Sequence, residues 1–128
     1  MPRVKVTPPD QFLFSMERRI GISDVNYAKH LDSIAMVKIL HEARLQFLAS
    51  LGFAEGNIFG LGMVVTDLAV EYRSESFAND MLVIDVGVAA LIVTDLTLAC
   101  RSLTVHWRRW FAMARWVSSF STSIDIRS

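Results

Sequence analysis

The segment between residues 32 and 52 constrains the fold more than any other part of this sequence. Asp32 or Ser33 can cap the first turn of a helix with a side-chain oxygen, and Gly52 can adopt the left-handed backbone that ends one. On a helical wheel the large apolar side chains share one arc, formed by Met36, Val37, Leu40, Phe47, Leu48 and Leu51. The opposite side also carries apolar residues, namely Ala35, Ile39, Ala43 and Ala49. The pattern predicts a long helix that a curved sheet wraps.

The rest of the chain has the composition of strands. An extended lead-in, residues 1–11, precedes a predicted strand over Phe12 to Ile22. After the helix, period-two alternation predicts a long strand from Leu61 to about Arg73, and Asn79-Asp80 is typical of a turn. Two further strands are predicted over Met81 to Val88 and Ile92 to Val105. A strand, a helix and then a run of strands indicate a single α+β domain with an antiparallel sheet.

Composition excludes several classes of partner. Lys plus Arg and Asp plus Glu are both 13, so no net charge attracts nucleic acid or an anionic membrane. The longest uncharged apolar run, Val86 to Thr94, is too short to cross a membrane as a helix. Cys100 is the single cysteine, and no secretion signal is apparent, which favours the cytoplasm. The hydrophobic content of 52% is high enough to favour a subunit contact.

Five short motifs between Phe12 and about Val88 carry a family resemblance. They are the loop Asp24 to His30, Glu42-Ala43-Arg44, Leu51-Gly52-Phe53, Tyr72-Arg73-Ser74-Glu75 and Asn79-Asp80. Together they resemble the 4-hydroxybenzoyl-CoA thioesterase family and its relatives. The resemblance implies a hotdog fold, in which about five antiparallel strands wrap one long central helix. It also implies an acyl-CoA thioesterase that works as a homodimer or homotetramer, with acyl-CoA bound at the subunit boundary.

The loop before the helix is the expected catalytic region. Many relatives read Asp-x-Asp-x-x-Gly-His there, and the second Asp is usually taken as the catalytic carboxylate. This chain has Asn26 at that position and Lys29 at the Gly position. An amide is no base, so Asn26 is expected to position water or substrate. The base is expected to be Asp24, His30 or a residue of the other subunit. The N–H groups of the first helical turn are expected to stabilise the oxyanion, with no metal or bound redox cofactor.

Each of these site assignments has a structural alternative. Asp24 could instead bond the loop, and His30 could fix the loop to the helix. Tyr27 is expected to line the substrate pocket or the dimer contact, and Leu31 is expected to line the substrate pocket. The strand end at Arg73, Ser74 and Glu75 is expected to meet the nucleotide part of CoA, unless it is only a solvated end.

Arg44 lies within the apolar arc of the helix, so its charge must be compensated. An ion pair with Asp67, Glu71 or Glu75 is the favoured explanation, and binding of a CoA phosphate is the alternative.

Residues 106–128 form an atypical tail that does not look like the last strands of a hotdog. Relatives tend to end with Gly, four apolar residues and Asp, and the codons for residues 116–122 can encode that motif when read two bases later. We therefore predict a frameshift near Arg115, which the nucleotide sequence can test. A rival hypothesis takes Trp107, Arg108, Arg109, Trp110 and Trp116 as a basic aromatic patch for a membrane surface or a partner.

Asn26 and this tail also motivate a second functional hypothesis, a catalytically silent hotdog that binds acyl-CoA or serves as an assembly module. A hydratase or dehydratase is disfavoured, because no matching Asp and His pair flanks the helix.

Overall fold

The structure is a computed structural model that describes residues 5–6, 9–54, 56–58, 60–91, 95–104 and 109–121. Its elements in chain order are β1 (Phe14–Arg19), a short 3-10 turn (Ile22–Asp24), α1 (Ser33–Ser50), β2 (Gly62–Tyr72), β3 (Met81–Leu91), β4 (Asp95–Thr104) and β5 (Arg109–Ser121). The strands form one antiparallel sheet in the order β1-β3-β4-β5-β2. The predicted α+β architecture, five strands around one long helix, is confirmed.

The helix begins and ends where the sequence predicts. The Asp32 carboxylate accepts hydrogen bonds from the N–H groups of Ile34 and Ala35, and Gly52 has a φ of 84° just after the last turn. Two features of the predicted apolar arc are wrong, since Leu51 is exposed and the buried face includes Ile39 and Ala43.

The core lies between this helix and the inner face of the sheet. The helix contributes Met36, Ile39, Leu40, Phe47 and Leu48, and the strands contribute Leu82, Ile84, Val86, Leu98 and Trp116. Burying each large side chain contributes about 1.5–3 kcal/mol, so this contact holds α1 against the sheet. The position of the first helical turn is therefore fixed by packing as well as by its cap.

Arg44 is buried in this core, at 2% exposure. Its guanidinium contacts Nδ1 of His41 and lies 5.4 Å from the ring centre of Trp116. The three predicted carboxylate partners contact other groups: Asp67 pairs with Arg115, Glu71 with Arg73, and Glu75 with His30. An ion pair between Arg44 and one of these carboxylates stays a prediction, because the Arg44 side chain lies in the core and each carboxylate has another partner. Such burial also removes it from contact with a CoA phosphate.

The tail supplies a strand that the sequence analysis did not predict. β5 lies inside the sheet, paired with β4 on one side and β2 on the other. Its inward residues Ala114, Trp116 and Ser118 are all buried, so alternation with period two does extend into the tail. Burial of Trp116 contradicts its place in a surface patch, while Trp107 and Arg108 lie outside the described residues.

Residues 9–12 pack against the outer face of the sheet, opposite the helix. A Cβ at Gly87 would lie 2.4 Å from the carbonyl oxygen of Gln11, so only glycine allows this close approach. The guanidinium of Arg101 lies 4.0 Å from the ring centre of Phe12, and Leu13 donates a hydrogen bond to the carbonyl of Val86. These contacts align the chain for its entry into β1.

Candidate active site

Asn26 shapes the loop that precedes α1. Its side-chain oxygen accepts hydrogen bonds from the N–H groups of Ala28 (3.0 Å) and His30 (3.3 Å). Its own N–H donates to the carbonyl of His30 at 2.8 Å. Lys29 completes the turn with a φ of 63°, a conformation that glycine adopts without strain and that explains why relatives have Gly there. With the oxygen engaged, the Asn26 amide nitrogen is the part of this side chain that can donate to a ligand.

His30 is held from three directions. Its Nδ1 lies 3.2 Å from Oε1 of Glu75, and its ring meets the Phe77 ring edge-on with centres 4.9 Å apart. The backbone of His30 also bridges to Phe77, and the next N–H, of Leu31, donates to the carbonyl of Ser76 at 2.7 Å. The imidazole is therefore fixed between the loop and the segment that joins β2 to β3.

A cleft of about 200 Å³ opens beside the first turn of α1. Its lining combines the loop, the helix start and the end of β2: Asn26, His30, Leu31, Asp32, Ser33, Tyr72, Ser74 and Glu75. Five of the eight predicted site residues thus share one cleft: Asn26, His30, Leu31, Ser74 and Glu75. The sequence analysis assigned Asp32 and Ser33 only a capping role. Their position two and three residues after His30 was the available signal that they also line the site.

Tyr72 closes one side of the cleft. Its hydroxyl donates to the carbonyl oxygen of Ser33 at 2.6 Å, which ties the end of β2 to the first turn of α1. Burial raises the pKa of Tyr72 above its usual 10.0, and the negative charge of Asp32 raises it further. The hydroxyl therefore stays protonated and serves as a donor at neutral pH.

The oxyanion donors expected at the helix start are fewer than predicted. Asp32 occupies the N–H groups of Ile34 and Ala35 with its carboxylate, and the N–H of Met36 donates to the Asp32 carbonyl. Among the described residues, the N–H of Ser33 is the first-turn donor that has no protein acceptor. A ligand in the cleft can thus receive one helix N–H, beside the amide nitrogen of Asn26.

The remaining three predicted residues lie apart from this cleft. The Asp24 carboxylate, 15% exposed, accepts from the Gly21 N–H at 2.8 Å and pairs with Arg18 at 3.1 Å. It lines a different cleft of about 360 Å³ on the Lys38 and Glu42 side of α1. This geometry favours the structural alternative for Asp24, a residue that bonds the loop. The exposed Arg73 pairs with Glu71, and the Tyr27 side chain is fully exposed.

Comparisons with known proteins assign the family. A family model described as the thioesterase-like superfamily matches residues 20–118, well over half of the chain. The chain belongs to the thioesterase-like superfamily. Thioester hydrolysis is the general activity that this membership assigns to it. No curated protein shows significant sequence similarity to the chain.

Several solved structures with a similar architecture are thioesterases by name. A 1,4-dihydroxy-2-naphthoyl-CoA thioesterase from Synechocystis has a TM-score of 0.76 at 14% identity, covering 84% of this chain and 80% of its own. A thioesterase superfamily structure from Jannaschia sp. CCS1 has a TM-score of 0.77 at 16% identity, covering 88% and 71%. A hypothetical thioesterase with coenzyme A from Streptococcus pneumoniae TIGR4 has a TM-score of 0.69 at 14% identity, covering 83% and 78%. These similarities confirm the predicted hotdog fold.

The described residues also bear on membranes and metal ions. Within the described ranges, no helix is long and apolar enough to span a membrane. In the same ranges, no group of three or more His, Cys, Asp or Glu side chains is arranged to hold a metal ion.

Proposed function

We propose that this thioesterase-like protein hydrolyses acyl-CoA in the cytoplasm, at the cleft beside the first turn of α1. The observation that carries the proposal is the convergence of Asn26, His30 and Glu75 on that cleft from the loop and from the end of β2. The structure with coenzyme A from Streptococcus pneumoniae, which has a similar fold, supports CoA as part of the substrate.

In the proposed reaction His30 activates water. Its Nε2 accepts a proton as a water oxygen attacks the thioester carbon, and the carbonyl oxygen becomes an oxyanion. The amide nitrogen of Asn26 and the N–H of Ser33 donate hydrogen bonds to that oxyanion. When the tetrahedral intermediate collapses, the carbon–sulfur bond breaks and the CoA sulfur takes the proton back from His30. The products are free CoA and a carboxylic acid, and no metal takes part.

We further propose that two or four copies form the working enzyme. Three large apolar side chains are exposed around the loop and the helix start: Ile22 at 80%, Tyr27 at 100% and Ile34 at 68%. Exposed apolar groups concentrated on one loop and helix start are typical of a subunit contact. A second copy covering them would also shield this loop and the helix start from bulk solvent.

The test is release of free CoA from a panel of acyl-CoA substrates by the purified protein. We expect His30→Ala to lower kcat by about 10²–10⁴-fold, the usual contribution of a positioned base. Asp24→Asn should change kcat little, because the Asp24 carboxylate bonds the Gly21 N–H and Arg18 instead of facing the cleft. Glu17→Gln, at an exposed site on β1, is the control. Turnover that survives His30→Ala would place the chemistry elsewhere.

The second candidate is a silent hotdog that binds acyl-CoA or acts as an assembly module. It is favoured by Asn26, which replaces the carboxylate that relatives use. CoA binding measured by calorimetry without any release of CoA from acyl-CoA would support it. Sedimentation of the same sample measures the assembly state.

A further inference from the structure

We propose that Glu75 is a positioning residue, which keeps the proton of neutral His30 on Nδ1 and so leaves Nε2 as the base. This inference rests on the proposed function of the cleft. It also changes the role predicted for Glu75 from the sequence, which was contact with the nucleotide part of CoA.

The geometry fixes both partners. Glu75 Oε1 lies 3.2 Å from His30 Nδ1. The residue after Glu75 is anchored, since Ser76 is buried, its carbonyl accepts from the Leu31 N–H, and its hydroxyl lies 3.2 Å from that of Thr104. Because the loop and the β2–β3 connection are joined at the residues directly after Glu75, the exposed carboxylate reaches the imidazole from an anchored backbone.

The chemistry of the two groups decides which nitrogen is protonated. A carboxylate only accepts hydrogen bonds, and a neutral imidazole carries a single N–H. Facing Oε1 of Glu75, the proton of His30 belongs on Nδ1, and Nε2 keeps its lone pair. When Nε2 takes a proton from water, the imidazole becomes a cation beside an anion. Glu75 therefore stabilises the charge that forms during the reaction.

The pair of His30 and Glu75 supplies a carboxylate that the loop lacks at position 26. Asn26 stands where relatives have the catalytic carboxylate, and an amide neither takes a proton nor carries a negative charge. Glu75 supplies a negative charge to the cleft from the opposite wall, 45 residues after His30. The same charge repels the phosphates of CoA, which argues against nucleotide binding by Glu75.

Steady-state kinetics separate positioning from substrate binding. We expect Glu75→Ala to lower kcat about 10–100-fold, with KM for acyl-CoA changed less than about twofold, because the base is misoriented while the substrate contacts stay. Glu75→Gln should lose less, since its side-chain carbonyl still accepts from Nδ1–H. Glu17→Gln is the matched control. Unchanged kcat in Glu75→Ala, or a change confined to KM, would overturn the inference.

The imidazole tautomer provides a readout that needs no turnover. Long-range nitrogen–proton NMR correlations should show neutral His30 with its proton on Nδ1 in the unmodified protein, and His30→Ala assigns the signal. In Glu75→Ala the proton should move toward Nε2. A proton on Nε2 in the unmodified protein refutes the inference. If the protein instead releases no CoA while the Nδ1 tautomer is present, the proposed function fails and the pairing of His30 with Glu75 stands.

Discussion

Asp32 has two separable effects, and two substitutions distinguish them. Its carboxylate caps α1 through hydrogen bonds of 3.1 Å to the Ile34 N–H and 3.2 Å to the Ala35 N–H. It also places a negative charge on the wall of the cleft. Asp32→Asn keeps a side-chain oxygen for the cap and removes the charge. Asp32→Ala removes both.

The stability effects follow from the cap alone. Asn and Asp are about equally good helix caps, so Asp32→Asn should change the free energy of unfolding by less than about 0.5 kcal/mol. Asp32→Ala leaves two N–H groups of the first turn without their acceptor, at a cost of about 1 kcal/mol. For a chain of this length that is about 4 °C in Tm, which thermal melts followed by circular dichroism resolve.

The chemical effects follow from the charge. Unit charges about 4 Å apart in water interact by about 1 kcal/mol, so removing the Asp32 charge from the wall of the cleft should raise kcat by up to about fivefold. Because Asp32 raises the pKa of Tyr72, the same change should lower that pKa while leaving the larger effect of burial. The chain has only two tyrosines, so an ultraviolet titration in a Tyr27→Phe background reports Tyr72 alone.

Two results would refute this reasoning about Asp32. Equal melting temperatures for Asp32→Asn and Asp32→Ala would show that the cap contributes nothing. A Tyr72 pKa that does not move in Asp32→Asn, together with an unchanged or lower kcat, would show that its charge does not act on the cleft.

Two further substitutions test buried groups of the sheet. Burial raises the pKa of the Cys100 thiol from 9.0 to about 12. Between pH 9 and 12 this thiol therefore ionises in the unfolded chain and stays protonated in the folded one. The free energy of unfolding should fall by up to about 4 kcal/mol as the pH rises to about 12. Urea unfolding at pH 8 and 10.5 should show a smaller fall for Cys100→Ala, and parallel curves would contradict the assignment. Within the described part of the chain the buried Ser118 hydroxyl has no hydrogen-bond partner, so Ser118→Ala should stabilise the protein by about 1 kcal/mol, and a loss of stability would contradict this.

Features set by neighbouring residues could be predicted from the sequence. The ends of α1 follow from Asp32 and Gly52, whose capping effects are local. The first four strands lie within a few residues of their predicted bounds, because alternation of side chains is also local. The helical wheel misplaced Leu51 because Leu51 follows Ser50, the last residue of α1, and the helical period no longer applies there.

The site could be predicted only in part. Local sequence identifies the residues of the loop, but it does not show which residues contact each other across the fold. The loop from Asp24 to His30 was identified correctly as the approach to the helix, yet a 3-10 turn directs Asp24 toward Arg18 and away from Asn26. No local pattern links His30 to Glu75. Their contact follows from the bridge between His30 and Phe77, which depends on how the loop meets the β2–β3 connection.

Two buried residues of β5, Ser118 and Trp116, bear on the frameshift prediction. Ser118 is a poor residue for an inner strand. Among the described residues, however, the buried Ser102 hydroxyl also has no hydrogen-bond partner, and Ser102 lies before the predicted frameshift. A buried serine is therefore no signature of the tail. Trp116 is more informative, because reading its codon two bases later gives glycine, whereas the present ring lies 5.4 Å from the Arg44 guanidinium. A restored frame would therefore remove the Trp116 ring from beside Arg44 and leave the contact of Arg44 with Nδ1 of His41.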